Sequence, residues 1–203
     1  MGEPLSEVPL ANRLLYWLAK FLFRISGWRA EGKLPDVPKY VIISTHTSNW
    51  DLVVGLTFWS IISYGFSMVK FSWMGKAEVF CGPLGPFLKW AGGIPIDRRA
   101  RHNVVEQVIQ AFRSREKLVM AIAPEGTRKK ATHWKTGFYY IAQGAQSPIV
   151  FASIDYQRKV VGLGPAITPS GDIQADMKII RDFYSNVHAR HPDQVGDIVL
   201  RQK

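Results

Sequence analysis

Apolar and polar positions follow two different periods along this chain. Over residues 10–28 the period is helical. Plotted at 100° per residue, Arg13, Lys20 and Arg24 share one narrow face. Ala11, Leu15, Leu18 and Leu22 lie opposite, with Leu14 and Ile25 nearby, and Trp17, Phe21 and Trp28 add large aromatics. Three cations interrupt the run, so the pattern argues against a membrane span. It fits a helix lying in a membrane interface with its cations toward head groups. It fits equally an amphipathic helix packed on its own domain. Residues 52–69 carry no charge and reach spanning length, but Gly55, Ser60, Ser63, Tyr64 and Gly65 dilute them. They predict a buried helix to about Tyr64, stopped at Gly65, and then a strand at 66–70.

Elsewhere short apolar runs predict interior strands: 40–44 (YVIIS), 118–123 (LVMAIA), 148–154 (PIVFASI), with shorter ones at 94–97 and 159–162. Val104, Val105, Val108, Ile109 and Phe112 recur at helical spacing within 103–113. Further helices are predicted at 135–143 and 172–190, the second followed by a frayed tail. Residues 81–95 (CGPLGPFLKWAGGIP) predict a loop with one helical turn inside. Strands alternating with helices give an α/β class: a central mixed, mostly parallel sheet flanked by helices, preceded by the N-terminal amphipathic helix. Two units follow, an interface segment at 1–32 and the main domain at 33–203.

Composition narrows the partners. The chain has 203 residues, 47% hydrophobic, enough to bury one α/β core. Twenty-six Lys and Arg oppose sixteen Asp and Glu, a formal net charge of +10. Such a surface attracts acidic lipid, phosphorylated substrates and carriers, or nucleic acid. Nucleic acid fits poorly, because the aromatics sit in apolar runs and no known binding signature is present. The single cysteine, Cys81, allows no internal disulfide and fits a reducing compartment. The N-terminus lacks the layout of a signal peptide.

The chemistry-bearing pattern is His46-Thr47-Ser48-Asn49-Trp50-Asp51. A histidine ends a buried strand, and an aspartate follows in the first turn of a helix. On one continuous helix, five steps would put the two on different faces. A strand-to-helix turn lets Asp51 fold back onto the imidazole. The carboxylate then fixes the tautomer and balances the imidazolium, leaving the other ring nitrogen to take a proton from a substrate. His188 and Asp193 share the spacing, but no strand precedes them and the pair is assigned no role. A second reading of the first pair is structural: Ser48-x-x-Asp51 has the form of a helix cap, with His46 a loop histidine.

Two further blocks suit an anion. Pro124-Glu125-Gly126-Thr127-Arg128 ends a strand, and a glycine turn there exposes backbone N–H groups beside a hydroxyl and a guanidinium. Glu125 has the wrong sign for phosphate, and suits holding an arginine or a substrate hydroxyl. Gly92 to Arg98 brings a second arginine from a strand end, with Arg99 and Arg101 beyond. Ligands of open α/β sheets gather at such edges.

In these blocks the chain resembles the glycerolipid acyltransferases, the lysophosphatidic acid acyltransferase family. His46 and Asp51 match the family's His-x-x-x-x-Asp motif. Gly92 or Gly93 to Arg98 matches its Gly-x-(Ile/Val)-(Phe/Pro)-Ile-x-Arg motif. Pro124 to Arg128 matches its Pro-Glu-Gly-Thr-Arg motif, and Pro148-Ile149-Val150 its late block. Order and spacing agree over 40–154. Thr45 and Ala123 depart from the Asn and Phe common in the family at those positions. The resemblance implies transfer of an acyl group from an acyl-CoA or acyl carrier protein thioester to a lipid hydroxyl, with no cofactor and no metal site. His46 would be the general base and Asp51 its partner. Arg98, Glu125, Gly126, Thr127, Arg128 and Lys76 would hold the phosphate and glycerol region of a lyso-lipid acceptor. Trp134 and Lys135 are candidates to shape that site. The implied location is peripheral or monotopic, on the cytoplasmic face of an anionic membrane. The alternatives are another lyso-lipid acceptor, an acyl thioesterase and a non-catalytic lipid-binding protein.

Overall fold

The computed structural model describes residues 8–64, 71–83, 85–90, 92–97, 104–127 and 130–200, with the backbone alone at 71, 75, 76, 79, 87, 88 and 90. Seven strands form one sheet: β1 (Arg29–Glu31), β2 (Lys39–Ile43), β3 (Phe71–Lys76), β4 (Gly93–Ile96), β5 (Leu118–Ile122), β6 (Ile149–Asp155) and β7 (Val160–Ile167). Their order across the sheet is β1-β7-β6-β2-β5-β3-β4. Every pairing is parallel except the β6–β7 hairpin. The sheet is therefore mixed and mostly parallel, as the alternation of strands and helices implied.

The apolar runs are continuous because both sheet faces are covered. On β2, Val41 and Ile43 point to one face, where they pack with Val108 and Phe112 of α4 (Val104–Arg113). Phe138 and Ile141 of α5 (Gly137–Gly144) and Met177 and Ile180 of α6 (Ile173–Tyr184) complete that layer. Tyr40 and Ile42 point the other way, onto Phe23 of α1 (Leu10–Ser26) and Val54, Phe58 and Trp59 of α2 (Asn49–Ile62). Burying apolar area on two faces at about 25 cal/mol per Å2 is the main stabilising term for such a layered domain.

Several expectations change. β1 consists of three exposed residues, Arg-Ala-Glu, which gave no apolar signal. Gly162 is what lets it dock: a Cβ there would come 2.8 Å from the Glu31 carbonyl oxygen. The expected strand at 66–70 lies outside the described residues, and the observed strand is β3. Residues 81–95 contain a six-residue helix, α3 (Gly85–Trp90).

The α6 helix stops at Tyr184, whose buried hydroxyl donates to the carbonyls of Ile43 and Ala152. The chain beyond it is tied down, not frayed. The backbone N–H of Trp134 donates to the Val199 carbonyl, that of Asp197 to the Ala131 carbonyl, and Arg181 Nε to the Ile198 carbonyl. Most consequentially, α2 is not buried all round. Trp50, Leu52, Val53 and Leu56 are exposed. So are Leu10, Leu14, Leu15, Trp17, Leu18, Phe21, Leu22 and Ile25 on α1, which docks on the domain by Ala19 and Phe23. No helix among the described residues is long and apolar enough to cross a membrane.

Candidate active site

Three adjacent parallel strands, β6-β2-β5, end at the same edge of the sheet. Ile43 of β2 pairs with Ile122 of β5, and three residues beyond that pair come His46 and Glu125. The register therefore sets these two side by side. The His46 backbone N–H donates to Glu125 Oε2 at 2.9 Å. Glu125 is only 2% exposed. Burial pushes its carboxyl upward, partly offset by the bonds from His46 and Gly196.

After β2 the chain turns and Ser48 caps α2. Its hydroxyl accepts from the Trp50 N–H, and Asp51 Oδ2 accepts in turn from the Ser48 N–H at 2.8 Å. The same Asp51 Oδ2 accepts from the Thr47 N–H at 2.8 Å and lies 3.2 Å from His46 Nδ1. Tyr156 donates its hydroxyl to Asp51 Oδ1 at 2.8 Å. The helix cap and the His–Asp pair are thus one structure. Asp51 is 7% exposed. Burial acts to raise its carboxyl, but the hydrogen bonds from His46, Tyr156, Ser48 and Thr47 outweigh it and the net shift is downward. A carboxylate only accepts, so Nδ1 carries the ring proton and Nε2 is left as an acceptor. The His46 side chain is 32% exposed.

His46 and Asp51 stand at the wall of a cavity of about 280 Å3 between α2 and the sheet. Leu52, Gly55, Trp59 and Ala121 contribute to its largely apolar lining. A general base beside an apolar cavity can take a proton from a polar group on a molecule whose hydrocarbon part lies in that cavity.

The turn after β5 carries Glu125 and begins just past Ala123, which lines the cavity. Gly126 adopts φ +65°, which favours glycine, and donates its N–H to the Ala123 carbonyl. Lys135 donates its backbone N–H to the Pro124 carbonyl. Its side chain crosses Gly126 so closely that a Cβ there would come 2.5 Å from the ammonium.

Residues 28–155, more than half of the chain, match the family model described as Acyltransferase. The chain belongs to the acyltransferase family. The fold of this acyltransferase is similar to the crystal structure of the 1-acyl-sn-glycerophosphate (LPA) acyltransferase, PlsC, from Thermotoga maritima. The TM-score is 0.58 at 12% identity, over 88% of this chain and 81% of that one. No curated protein matches the acyltransferase by sequence.

The structure brings His46, Asp51, Glu125 and Gly126 together at one edge of the acyltransferase sheet. Thr127 lies in the same turn. Arg98 and Arg128 fall outside the described residues, as do Arg99 and Arg101. Lys76 ends β3, and its side chain is not described. Trp134 does not shape a site. It is wholly buried in the core against Phe138 and Tyr184, because the chain after the basic turn dives under the sheet.

Sequence reasoning missed Tyr156 and Arg190. Tyr156 follows β6 directly. The Arg190 guanidinium lies 5.4 Å from the centroid of the Trp50 ring and 5.7 Å from that of Tyr156. Neither residue stands in a motif. Only the β6–β2 pairing, invisible in a linear reading, could have found Tyr156.

Proposed function

We propose that this acyltransferase moves a fatty acyl group from an acyl-CoA or acyl carrier protein thioester to the hydroxyl of a lysophosphatidic-acid-type acceptor. The observation that carries the reading is the His46 imidazole. It is held by Asp51 through Nδ1 and lines an apolar cavity. Nε2 takes the acceptor hydroxyl proton as that oxygen attacks the thioester carbonyl. The tetrahedral oxyanion collapses, the C–S bond breaks, and the thiolate leaves and receives the proton from the imidazolium. Asp51 stabilises the imidazolium in between. A thiolate is a good leaving group, so direct transfer needs no covalent enzyme intermediate.

Gly126, Thr127 and Arg128, with Arg98 and Lys76, hold the acceptor phosphate. Glu125 orders the acceptor side by anchoring the His46 backbone. Lys135 adds a cation over the same turn.

Residues 1–32 serve as the membrane-interface segment of a peripheral or monotopic protein on a cytoplasmic leaflet. The exposed apolar faces of α1 and α2 support this, since both helices lie on the cavity side of the sheet. Lys20 Nζ lies 5.3 Å from the ring centroids of Tyr16 and Trp17, as a cation does at a head-group boundary.

The test is acyl transfer from a radiolabelled thioester to a panel of lyso-lipids, beside a His46→Ala variant. Transfer to a phosphate-bearing acceptor is expected, lowered about 10²- to 10⁴-fold in the variant. Free fatty acid as the sole product would make the protein a thioesterase. Preference for a lysophospholipid or lyso-aminolipid would move the acceptor and keep the chemistry.

A further inference from the structure

Asp51 is gripped from a side that the His-x-x-x-x-Asp motif does not supply. Oδ2 receives the bonds from His46, Thr47 and Ser48, all local to the motif. Oδ1 receives the Tyr156 hydroxyl from 105 residues away at 2.8 Å. Tyr156 lies one residue past the region that matches the family model. It reaches Asp51 because β6 runs parallel to β2, so the residue after one strand arrives beside the turn after the other.

Tyr156 is itself held on several sides. Its ring meets Trp28 edge-on at 5.1 Å, and Arg190 lies over it. Its backbone N–H donates to the His188 carbonyl at 2.8 Å. The preceding residue, Asp155, accepts from the His188 backbone N–H and lies 3.0 Å from His188 Nδ1. The next link runs back to the motif, where the His191 N–H approaches Thr47 Oγ1 at 3.4 Å. A fixed phenol donating to one carboxylate oxygen stops the carboxylate from rotating, and keeps Oδ2 aimed at the imidazole.

We infer that Tyr156 is a positioning residue for the His46–Asp51 pair, acting through the Asp51 carboxylate. The inference rests on the general-base reading given above. The phenol also draws charge from the carboxylate, so its loss changes how strongly Asp51 favours the protonated imidazole. The charged groups around this point are Asp51 itself, Arg190 over the phenol ring, and Glu125 behind the His46 backbone.

Tyr156→Phe tests the inference. It removes only the hydroxyl and keeps the ring against Trp28 and Arg190, so the fold is retained. Acyl transfer should fall in kcat by roughly tenfold, the scale of one hydrogen bond to a charged group, with KM for thioester and acceptor within about twofold. The acid limb of the pH–rate profile should move to higher pH, because a carboxylate freed of the phenol holds the imidazole proton harder. The Nδ1 proton resonance of His46 should also shift, a readout that needs no turnover. A folded variant with unchanged kcat, profile and resonance would overturn the inference. So would a uniform loss of activity and melting temperature with an unmoved pH profile, since that marks a merely structural tie. His46→Ala in the same assay separates the two levels. Activity kept in that variant removes the general-base reading. Activity lost there, with Tyr156→Phe behaving as wild type, removes this inference alone.

Discussion

Among the described residues, two aspartates hold histidines. Asp51 binds His46 within a helix cap, while Asp155 binds His188 across 33 residues. The sequence offered Asp193 as a partner for His188, by spacing alone. The observed partner sits at the end of β6, where the β6–β7 turn presents a carboxylate to the chain beyond α6. Asp155 also accepts from the Arg158 N–H and Nε, and these bonds hold its carboxyl down at about 2 against the burial that would raise it. A depressed folded pKa means that this stability is fully present above the unfolded carboxyl range, near 4, and is lost as pH falls toward 2. Asp51, also shifted downward, acts with the same sign. Asp155→Ala is expected to cost about 2 kcal/mol at neutral pH, since it strands the backbone N–H groups of Arg158 and His188. For a chain of this size that lowers the melting temperature by roughly 4–8 °C. Thermal unfolding at pH 7 and pH 3 checks it: the gap between variant and wild type should narrow at the lower pH.

At the scale of elements, legibility followed burial more than pairing: the edge strand β4 read directly because three of its four residues are buried. β2, β5 and β6 read directly because neighbours and helices bury them all round. β1, paired on one side and exposed, left no apolar trace. α2 misled for a different reason. Lack of charge implies burial, yet its face at Trp50 and Val53 is open, and a stripe at Leu52, Gly55, Leu56 and Trp59 lines the cavity. That spacing of three, four and seven was present in the sequence, but periodicity cannot distinguish a cavity wall from a core. Gly55 stands out on this stripe: a Cβ added there meets nothing within 4 Å. Gly55→Phe therefore places its Cβ in open space and improves helix propensity by a few tenths of a kcal/mol. Its ring narrows the space beside His46. Rates with a series of acyl thioesters should fall severalfold or more for long chains and little for short ones. Equal losses at every length would place the acyl chain elsewhere.

At the scale of the whole molecule, strand order does what the linear pattern could not reveal. Parallel β6, β2 and β5 deliver Tyr156, His46 and Glu125 to one edge from positions far apart in the chain. The motifs named two of these three residues. The third depended on which strand neighbours β2, and hydrophobic patterning does not encode that. The same layering puts α1 and α2 on the cavity side and leaves their outer faces apolar, on a chain of net charge +10. If α1 meets a membrane as proposed, two forces act in different ways. Attraction of Arg13, Lys20 and Arg24 to anionic lipid is worth about 1 kcal/mol per cation near the surface and weakens as salt shortens the screening length from about 10 Å at 0.1 M to about 3 Å at 1 M. Insertion of Leu18 and Phe21 is apolar and indifferent to salt. In liposome sedimentation the wild type should favour anionic over neutral vesicles at low salt, and keep a residual, composition-independent binding at high salt. A Leu18→Asp, Phe21→Asp double variant should lose that residual part and keep a weaker, fully salt-sensitive one. Binding by the double variant equal to wild type at high salt would mean that the exposed face of α1 does not enter the bilayer, and that the lipid acceptor reaches His46 by another route.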